Sequence, residues 1–527
     1  MKRVLVSDSM AAEVVEILNN APGIKVEVKT NLKPEELKVI IKDYDALIVR
    51  SSTKVTAEII EAAAKLSAIG RAGAGVDNID IPAASKRGIV VMNTPGGNTV
   101  TTGEHAIAMM LALARRIPQA TASMKAGKWE KSKFMGNEYC NKTLGIVGLG
   151  RVGAVVADRA KGLKMNVIAH DPFISPDVAA QMGVTLVSLD EIYEQSDFIT
   201  VHSPLSKETK NLIDAKAFAK MKTGIFLIHC ARGGIVNEKA LYDALVSGKV
   251  AGAAIDVFEE EPTKNMDLIK LDNVICTPHL GASTDEAQTN VAIAIARQIA
   301  AYFATGEIKG AVNFPSVSAE LMTVIRPYLD LAEKLGAFQA QLVTGALQQI
   351  EIEYSGEIIK QNVAPITISL LKGLLEPILV ESVNYINAPV IAKERGIKVV
   401  ESKSSEIKDY TSQITLSVKT SKETSTTAGA LFGKHDPRIV RINEFSVEIV
   451  PEGHMLAVSN ADQPGVIGNL GTTLGKHKVN IARLNLSRDR EVKLALVVLN
   501  TDSAVPEDIL DKLRKLPHVI SVKSIKM

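Results

Sequence analysis

Three residues far apart in the chain each follow a short apolar run: Arg232 in HCARGG, Glu261 in DVFEEEP and His279 in VICTPHLGAS. An arginine offers a forked set of donors that can clamp a carboxylate and polarise a ketone. A histidine can move a proton near neutral pH, and a carboxylate behind it fixes its tautomer and stabilises the charged ring. Each has a plain alternative: a surface ion pair, one of three solvated glutamates, a histidine satisfied at a strand end. A fourth motif shifts that balance. GLGRVG (Gly148, Gly150, Gly153) follows the apolar run TLGIV and opens the helical stretch RVGAVVADRAKGL, and Asp171 stands after the next apolar run. In that context Gly148 permits a tight turn and Gly150 lets backbone approach a pyrophosphate. Gly153 allows close helix–strand packing, and the anion lies at a helix N-terminus. Asp171 can accept hydrogen bonds from ribose hydroxyls and would repel a 2′-phosphate, so the motif points to NAD over NADP.

Positioning these groups requires a sheet whose strands end on one side. Residues 142 to about 280 contain six short apolar runs separated by helical patterns, the signature of a doubly wound parallel sheet, and the three reactive residues stand just after such runs. Residues 1 to 97 show a sparser alternation of the same kind. Residues 98–116 read as one long helix with Asn98 or Thr99 as its cap, and 284–305 as another. From 317 to 450 helical and strand patterns mix, with SKETSTTAGALFGKHDP read as a polar turn region. Residues 453–527 read as a βαββαβ module of ferredoxin-like type.

Composition excludes several classes. The chain has 527 residues, too many for one core, with 46% hydrophobic and 23% charged residues. A formal net charge of +2 argues against a broad nucleic-acid surface. Three cysteines without CxxC spacing offer neither a disulfide framework nor a metal site, and fit a reducing cytoplasm. The longest strongly apolar stretch, 106–114, falls far short of the roughly 20 residues that cross a bilayer. No secretory leader is expected at the N-terminus.

LGIVGLGRVG, CARGGIVNE, DVFEEEP and TPHLGAST resemble the D-specific 2-hydroxyacid dehydrogenases. VRSSTKVT, GRAGAGVDNID, NTPGGNTVTTGEHAIAMMLALAR and ASMKAGKWEKSKFMG are similar to the phosphoglycerate-oxidising branch of that family, and ADQPGVIGNLG…VNIARL to an ACT domain. The resemblance implies an α/β fold. A Rossmann-type NAD-binding domain (98–284) is inserted in a flavodoxin-like substrate domain (1–97 plus 285–313), followed by an α+β intervening domain (317–450) and the ACT domain (453–527). It implies oxidation of 3-phosphoglycerate, with His279 as general acid/base, Glu261 its partner and Arg232 orienting substrate. Arg151, Val152, Ser203, Cys230, Ala231, Asp256, Gly281 and Ala282 are expected along the cofactor with the glycine loop and Asp171. Arg50, Arg71, Asn98, Lys131 and the backbone of Ala74, Gly75 and Val76 are expected at the substrate. Asn460, Asp462, Gly465 and Asn480 are expected to bind an L-serine effector, Asp462 opening a helix and Asn480 a strand. A homo-oligomer is expected, dimer or tetramer. Two alternatives stand beside this reading: a glyoxylate or hydroxypyruvate reductase with the same triad, and a non-catalytic dinucleotide sensor resembling corepressors of this fold.

Overall fold

Apolar runs bounded by turns in the first 97 residues form five parallel strands. Their spatial order is Ile24–Val28, Lys2–Val6, Ala46–Val49, Ala68–Arg71, Val90–Asn93, a flavodoxin-like arrangement. In this computed structural model residues 1–315, 319–380, 382–406, 409–489, 491 and 493–527 are described. Strand 46–49 is buried on both faces, as expected where helices cover a parallel sheet, and each such aliphatic side chain contributes about 1.5–3 kcal/mol. One face carries helices Glu13–Asn20 and Asp285–Thr305, through Val14, Leu18, Val291, Ile295 and Ile299. The last helix therefore returns to the first sheet; Thr284 accepts the N–H of Ala287 at its start (3.2 Å) and Gly306 ends it in the left-handed region.

A second sheet has seven parallel strands in the order Val274–Cys276, Val250–Ile255, Ile225–His229, Phe198–Val201, Thr143–Val147, Asn166–His170, Thr185–Leu186. Six were expected; the seventh has two residues, too few to register as an apolar run. The long helix expected over 98–116 runs from Thr99 to Ala114; it ends before Arg116 (φ 52°), and a second helix, Ile117–Lys125, starts with Pro118 in its first turn. Asn98 stands at the helix start but its side chain makes no capping bond. The helix expected from TAEIIEAAAKL covers only Ala57–Ala62.

A third sheet is mostly antiparallel, in the order Lys398–Ser404, Leu347–Gly356, Ser412–Thr420, Thr424–Phe432, Asp436–Ile442, Phe445–Ile449. The segment read as a polar turn is mostly strand 424–432: its threonines suit a half-buried pleat, and only the tight connections at 421–423 and Gly433–His435 on either side of it are non-strand. The expected boundary at 317 falls on residues 316–318, outside the described residues. The fourth unit is the anticipated βαββαβ module, with sheet order Ile481–Asp489, Leu494–Thr501, His454–Ala461, Val519–Lys526.

The last two units share one core. Met455, Ala457, Leu496, Val498 and Ile525 of the fourth sheet lie in the same buried cluster as Leu335 and Phe338 of helix Ala319–Leu342 and Ile414 and Leu416 of the third sheet. The third unit also grips the first: Ile386 is buried in the first sheet's cluster, Asn384 Nδ2 donates to the Gly88 carbonyl (2.9 Å), and Lys86 pairs with Glu394 (3.0 Å). Among the described residues no helix is long and apolar enough to cross a membrane.

Phe338 is fully buried in the shared core. Phe338→Ala is expected to destabilise the third and fourth units together by ~3–5 kcal/mol. Calorimetry should show one transition for both moving to lower temperature; two transitions responding independently would contradict a common core.

Candidate active site and cofactor cradle

Parallel strands all end on one side, and the reactive residues exploit this. Arg232 follows strand 225–229, Glu261 strand 250–255 and His279 strand 274–276, three neighbours in the second sheet. His279 Nδ1 lies 2.8 Å from Glu261 Oε2, while Glu261 Oε1 accepts the N–H of Phe258 at 3.1 Å. Both side chains are about half exposed. The hydrogen bond to Glu261 raises the His279 pKa above its ordinary value, outweighing the opposing effect of burial. Burial alone would raise the Glu261 pKa, but the bond to His279 prevails and lowers it. Glu261 thus stays ionised beside a ring that holds its proton more firmly than a free histidine.

His279 has φ 55°, and its N–H donates to the carbonyls of Asp256 and Thr277, both at 3.0 Å. The Asp256 carboxylate is fully buried. It accepts Leu280 N–H (2.6 Å), Gly281 N–H (2.8 Å) and the Thr277 hydroxyl (2.6 Å). Burial would raise its pKa; these donors and His105 bring it below the ordinary value.

A cavity of about 230 Å³ has His279, Glu261 and Ala282 on one side and Arg50, Arg71 and Asn98 on the other. Arg50 follows strand 46–49; its N–H reaches Asp8 Oδ2 (2.5 Å) and its Nη1 reaches Gln288 Oε1 (3.3 Å). Burial lowers the Arg71 pKa, as does the neighbouring Arg232. Arg71 Nη1 occupies the space where a Cβ at Gly73 would sit, and the Gly73 backbone (φ +143°) is a conformation that favours glycine. A second cavity, about 420 Å³, is lined by Ala74, Gly75, Val76, Asn98, Val152, Ser203, Cys230, Ala231 and Arg232. Here Arg232 Nε pairs across the cleft with Asp77 (3.3 Å). Ser203 Oγ donates to the Val147 carbonyl (3.1 Å), and burial pushes the Cys230 thiol up, keeping it neutral.

The glycine loop fits a dinucleotide. A Cβ at Gly153 would stand 2.2 Å from the Gly148 carbonyl, so helix Arg151–Gly162 packs on the turn only with glycine there. A Cβ at Gly150 would meet nothing within 4 Å, leaving open space before the helix N-terminus. Asp171, at the end of strand 166–170, accepts Leu149 N–H and Phe173 N–H (2.8 Å each), which aims its carboxylate beside the loop.

Other expectations fare differently. Lys131 sits in an exposed short helix, Lys131–Phe134, and lines neither cavity. Asp462 does not open a helix: the helix begins at Val466 after Gly465 (φ 92°), and Asp462 instead binds Arg488 (2.8 and 2.6 Å). Nor does one chain bring the four effector candidates together. Asn460 pairs in register with Ala495, whereas Asn480, bonded to Asp502 (2.7 Å), stands at the opposite end of the same sheet, where Ile481 pairs with Thr501. Sequence reasoning missed Asp8, Asp77, Asn93, His105 and Gln288. Asp8 follows the run RVLVS, so the strand-end rule that found Arg232 could have found it; Gln288 gave no signal.

Known proteins match at several levels. Residues 107–281 match the D-isomer specific 2-hydroxyacid dehydrogenase NAD binding domain, 324–443 the D-3-phosphoglycerate dehydrogenase intervening domain, and 454–518 the ACT domain. D-3-phosphoglycerate dehydrogenase of Archaeoglobus fulgidus is 45% identical, and that of Methanocaldococcus jannaschii 43%, each covering 100% of both chains. Among solved structures, TT0316 protein from Thermus thermophilus is 32% identical with a TM-score of 0.55, covering 59% of this chain and 99% of its own. D-lactate dehydrogenase from Aquifex aeolicus, complexed with NAD and lactic acid, is 28% identical with a TM-score of 0.53, covering 60% and 100%. The chain belongs to the D-3-phosphoglycerate dehydrogenase family, within the D-isomer specific 2-hydroxyacid dehydrogenases.

Proposed function

We propose that the chain oxidises 3-phospho-D-glycerate to 3-phosphohydroxypyruvate with NAD, at the entry to L-serine synthesis. The observation that carries this reading is the cavity with the His279–Glu261 pair on one wall and Arg50 and Arg71 on the other. It offers a proton carrier and two cations to a small phosphorylated hydroxy acid.

With Nδ1 committed to Glu261, His279 has Nε2 for the substrate hydroxyl. In oxidation the neutral ring takes the hydroxyl proton at Nε2 and Glu261 stabilises the resulting imidazolium. In reduction the imidazolium returns that proton to the forming alkoxide. NAD, when bound, supplies the hydride acceptor for C2. Gly150 and Arg151, at the helix start that Gly148 and Gly153 shape, would hold its pyrophosphate, and Asp171 would take the ribose hydroxyls. Val152, Ser203, Cys230, Ala231 and Ala282 would line its path, while Asp256 and Gly281, expected there too, are buried behind it and shape the turn at His279. Arg232 and the N–H groups of Ala74, Gly75 and Val76 hold the substrate carboxylate, while Arg50 and Arg71 hold the phosphate, with Asn98 between.

We read the fourth unit as an L-serine sensor. Because Asn480 lies away from Asn460, Asp462 and Gly465, a site using all four requires a second copy. The edge strand 481–489, with Leu484 and Leu486 exposed, suits such pairing. Exposed Ile117, Met124, Trp129 and Met135 favour a further contact between copies. Three free cysteines accord with a reducing cytoplasm.

NADH consumption with 3-phosphohydroxypyruvate, beside glyoxylate, pyruvate and 2-oxoglutarate and with or without L-serine, tests this directly. A preference for the phosphorylated acid suppressed by serine is expected; preference for glyoxylate or pyruvate would refute the substrate assignment. Arg50→Met should lose about tenfold or more in kcat/KM for the phosphorylated acid, as expected for one charged hydrogen bond, and leave glyoxylate reduction largely unchanged. Glu261→Gln removes the partner that raises the His279 pKa, so the pH limb set by His279 should move to lower pH. Reduction, which needs the imidazolium, then fails earlier as pH rises, with kcat reduced by roughly 10²–10⁴. Gly153→Ala should raise the NADH dissociation constant by about tenfold or more, equivalent to ~1.4 kcal/mol, measured by quenching of NADH fluorescence.

A further inference from the structure

Helix Thr99–Ala114 leads from the first sheet to the second, and His105 is its seventh residue. Its Nε2 lies 3.2 Å from Thr277 Oγ1 and 3.4 Å from Asp256 Oδ1. Thr277 donates its only hydroxyl hydrogen to Asp256 at 2.6 Å, so toward His105 it can only accept. His105 therefore carries its proton on Nε2 and donates into the pair. The same Asp256 carboxylate ties down the N–H groups of Leu280 and Gly281, and its carbonyl takes the N–H of His279. Gly281 is held closely too: a Cβ there would stand 3.1 Å from Asp256 Oδ2 and 3.4 Å from Thr102 of the crossover helix.

Ligating atoms of His105, Cys230 and Asp256 lie within 4.8 Å of one another. Both Asp256 oxygens are already taken by backbone and hydroxyl donors, and burial keeps the thiol protonated. A hydrogen-bonded support describes this cluster better than a metal centre. We infer that His105 is a positioning residue for proton transfer: through Thr277 and Asp256 it fixes the left-handed turn that sets His279 against Glu261, and it fastens that turn to the helix crossing between the two sheets. The inference rests on the reading of His279 as proton carrier.

The charged groups around His279 are Glu261, Asp256 and Arg232, with Arg50 and Arg71 on the facing wall. Around His105 they are Asp256 and Cys230. A cavity of about 790 Å³ on its other side adds Glu104 from its own helix and Glu286 from helix 285–305. None of the latter two contacts the dyad, so the His279 limb of the pH profile reports the geometry of the turn.

The test uses the full-length enzyme in the reduction direction. His105→Leu removes the donor; His105→Gln keeps an N–H near the Nε2 position; Thr277→Val removes the bridging hydroxyl without touching the helix. His105→Leu and Thr277→Val are expected to lower kcat by roughly ten- to a hundredfold, the loss attached to an ångström-scale misplacement of a catalytic group. They should move the His279 limb to lower pH as its bond to Glu261 loosens, with NADH affinity and KM little changed, and His105→Gln should recover most of kcat and the limb. The inference is overturned if the limb stays fixed in both Leu and Val variants, if Gln is as impaired as Leu, or if NADH affinity falls in step with kcat. His279→Asn separates the two readings. Retained activity there would remove the proton-carrier assignment itself, whereas a dead His279→Asn beside unaffected His105→Leu and Thr277→Val would remove this inference alone.

Discussion

A histidine held at φ 55° costs about 1–2 kcal/mol relative to ordinary backbone, and it persists only where its surroundings over-determine it. Here the surroundings are a single buried carboxylate. Asp256 sits at the end of the strand that also leads to Glu261, so both halves of the proton-transfer pair are referenced to one anion with no exposure to water. Its negative charge is tolerable there because backbone N–H groups and a hydroxyl surround it, the condition under which a buried ion is stable. The cavity, the cofactor path and the substrate cations gain their meaning from where that turn puts the ring.

The two parallel sheets solve a transport problem: they bring groups from distant sequence positions to one line. In the second sheet Arg232, Glu261 and His279 follow three adjacent strands, and the glycine loop emerges from the same edge beyond strand 198–201. In the first, Asp8, Arg50 and Arg71 do the same. Helix 285–305 returns to the first sheet and brings Gln288 to Arg50. The cleft is thus bordered by rigid strand termini, which hold geometry better than free loops.

Much of this was legible in the sequence, for physical reasons. Buried parallel strands are nearly continuous apolar runs, so their ends mark the site, and GLGRVG carries packing constraints that few other turns share. Where the sequence misled, the cause was local. Strand 185–186 has no run to detect. Threonines in 424–432 read as turn by polarity although their branching favours a strand. Asn480 was grouped with Asn460 by motif, whereas register sends it to the other end of the sheet. His105 and Gln288 lie within helical patterns whose apolar spacing says nothing about which polar residue faces a neighbour's strand end.

The joint between the third unit and the first has a mechanical consequence. Ile386 and Asn384 seize the first sheet beside Gly88, and the chain runs from there directly into strand 90–93. At the far end of that strand Asn93 Nδ2 holds the Ala74 carbonyl (2.6 Å), next to the backbone that faces Arg232. The grip and the cleft are therefore two ends of one stiff rod four residues long. Because the third and fourth units share a common core, this joint makes both of them a buttress of the sheet whose strand ends carry Arg50 and Arg71.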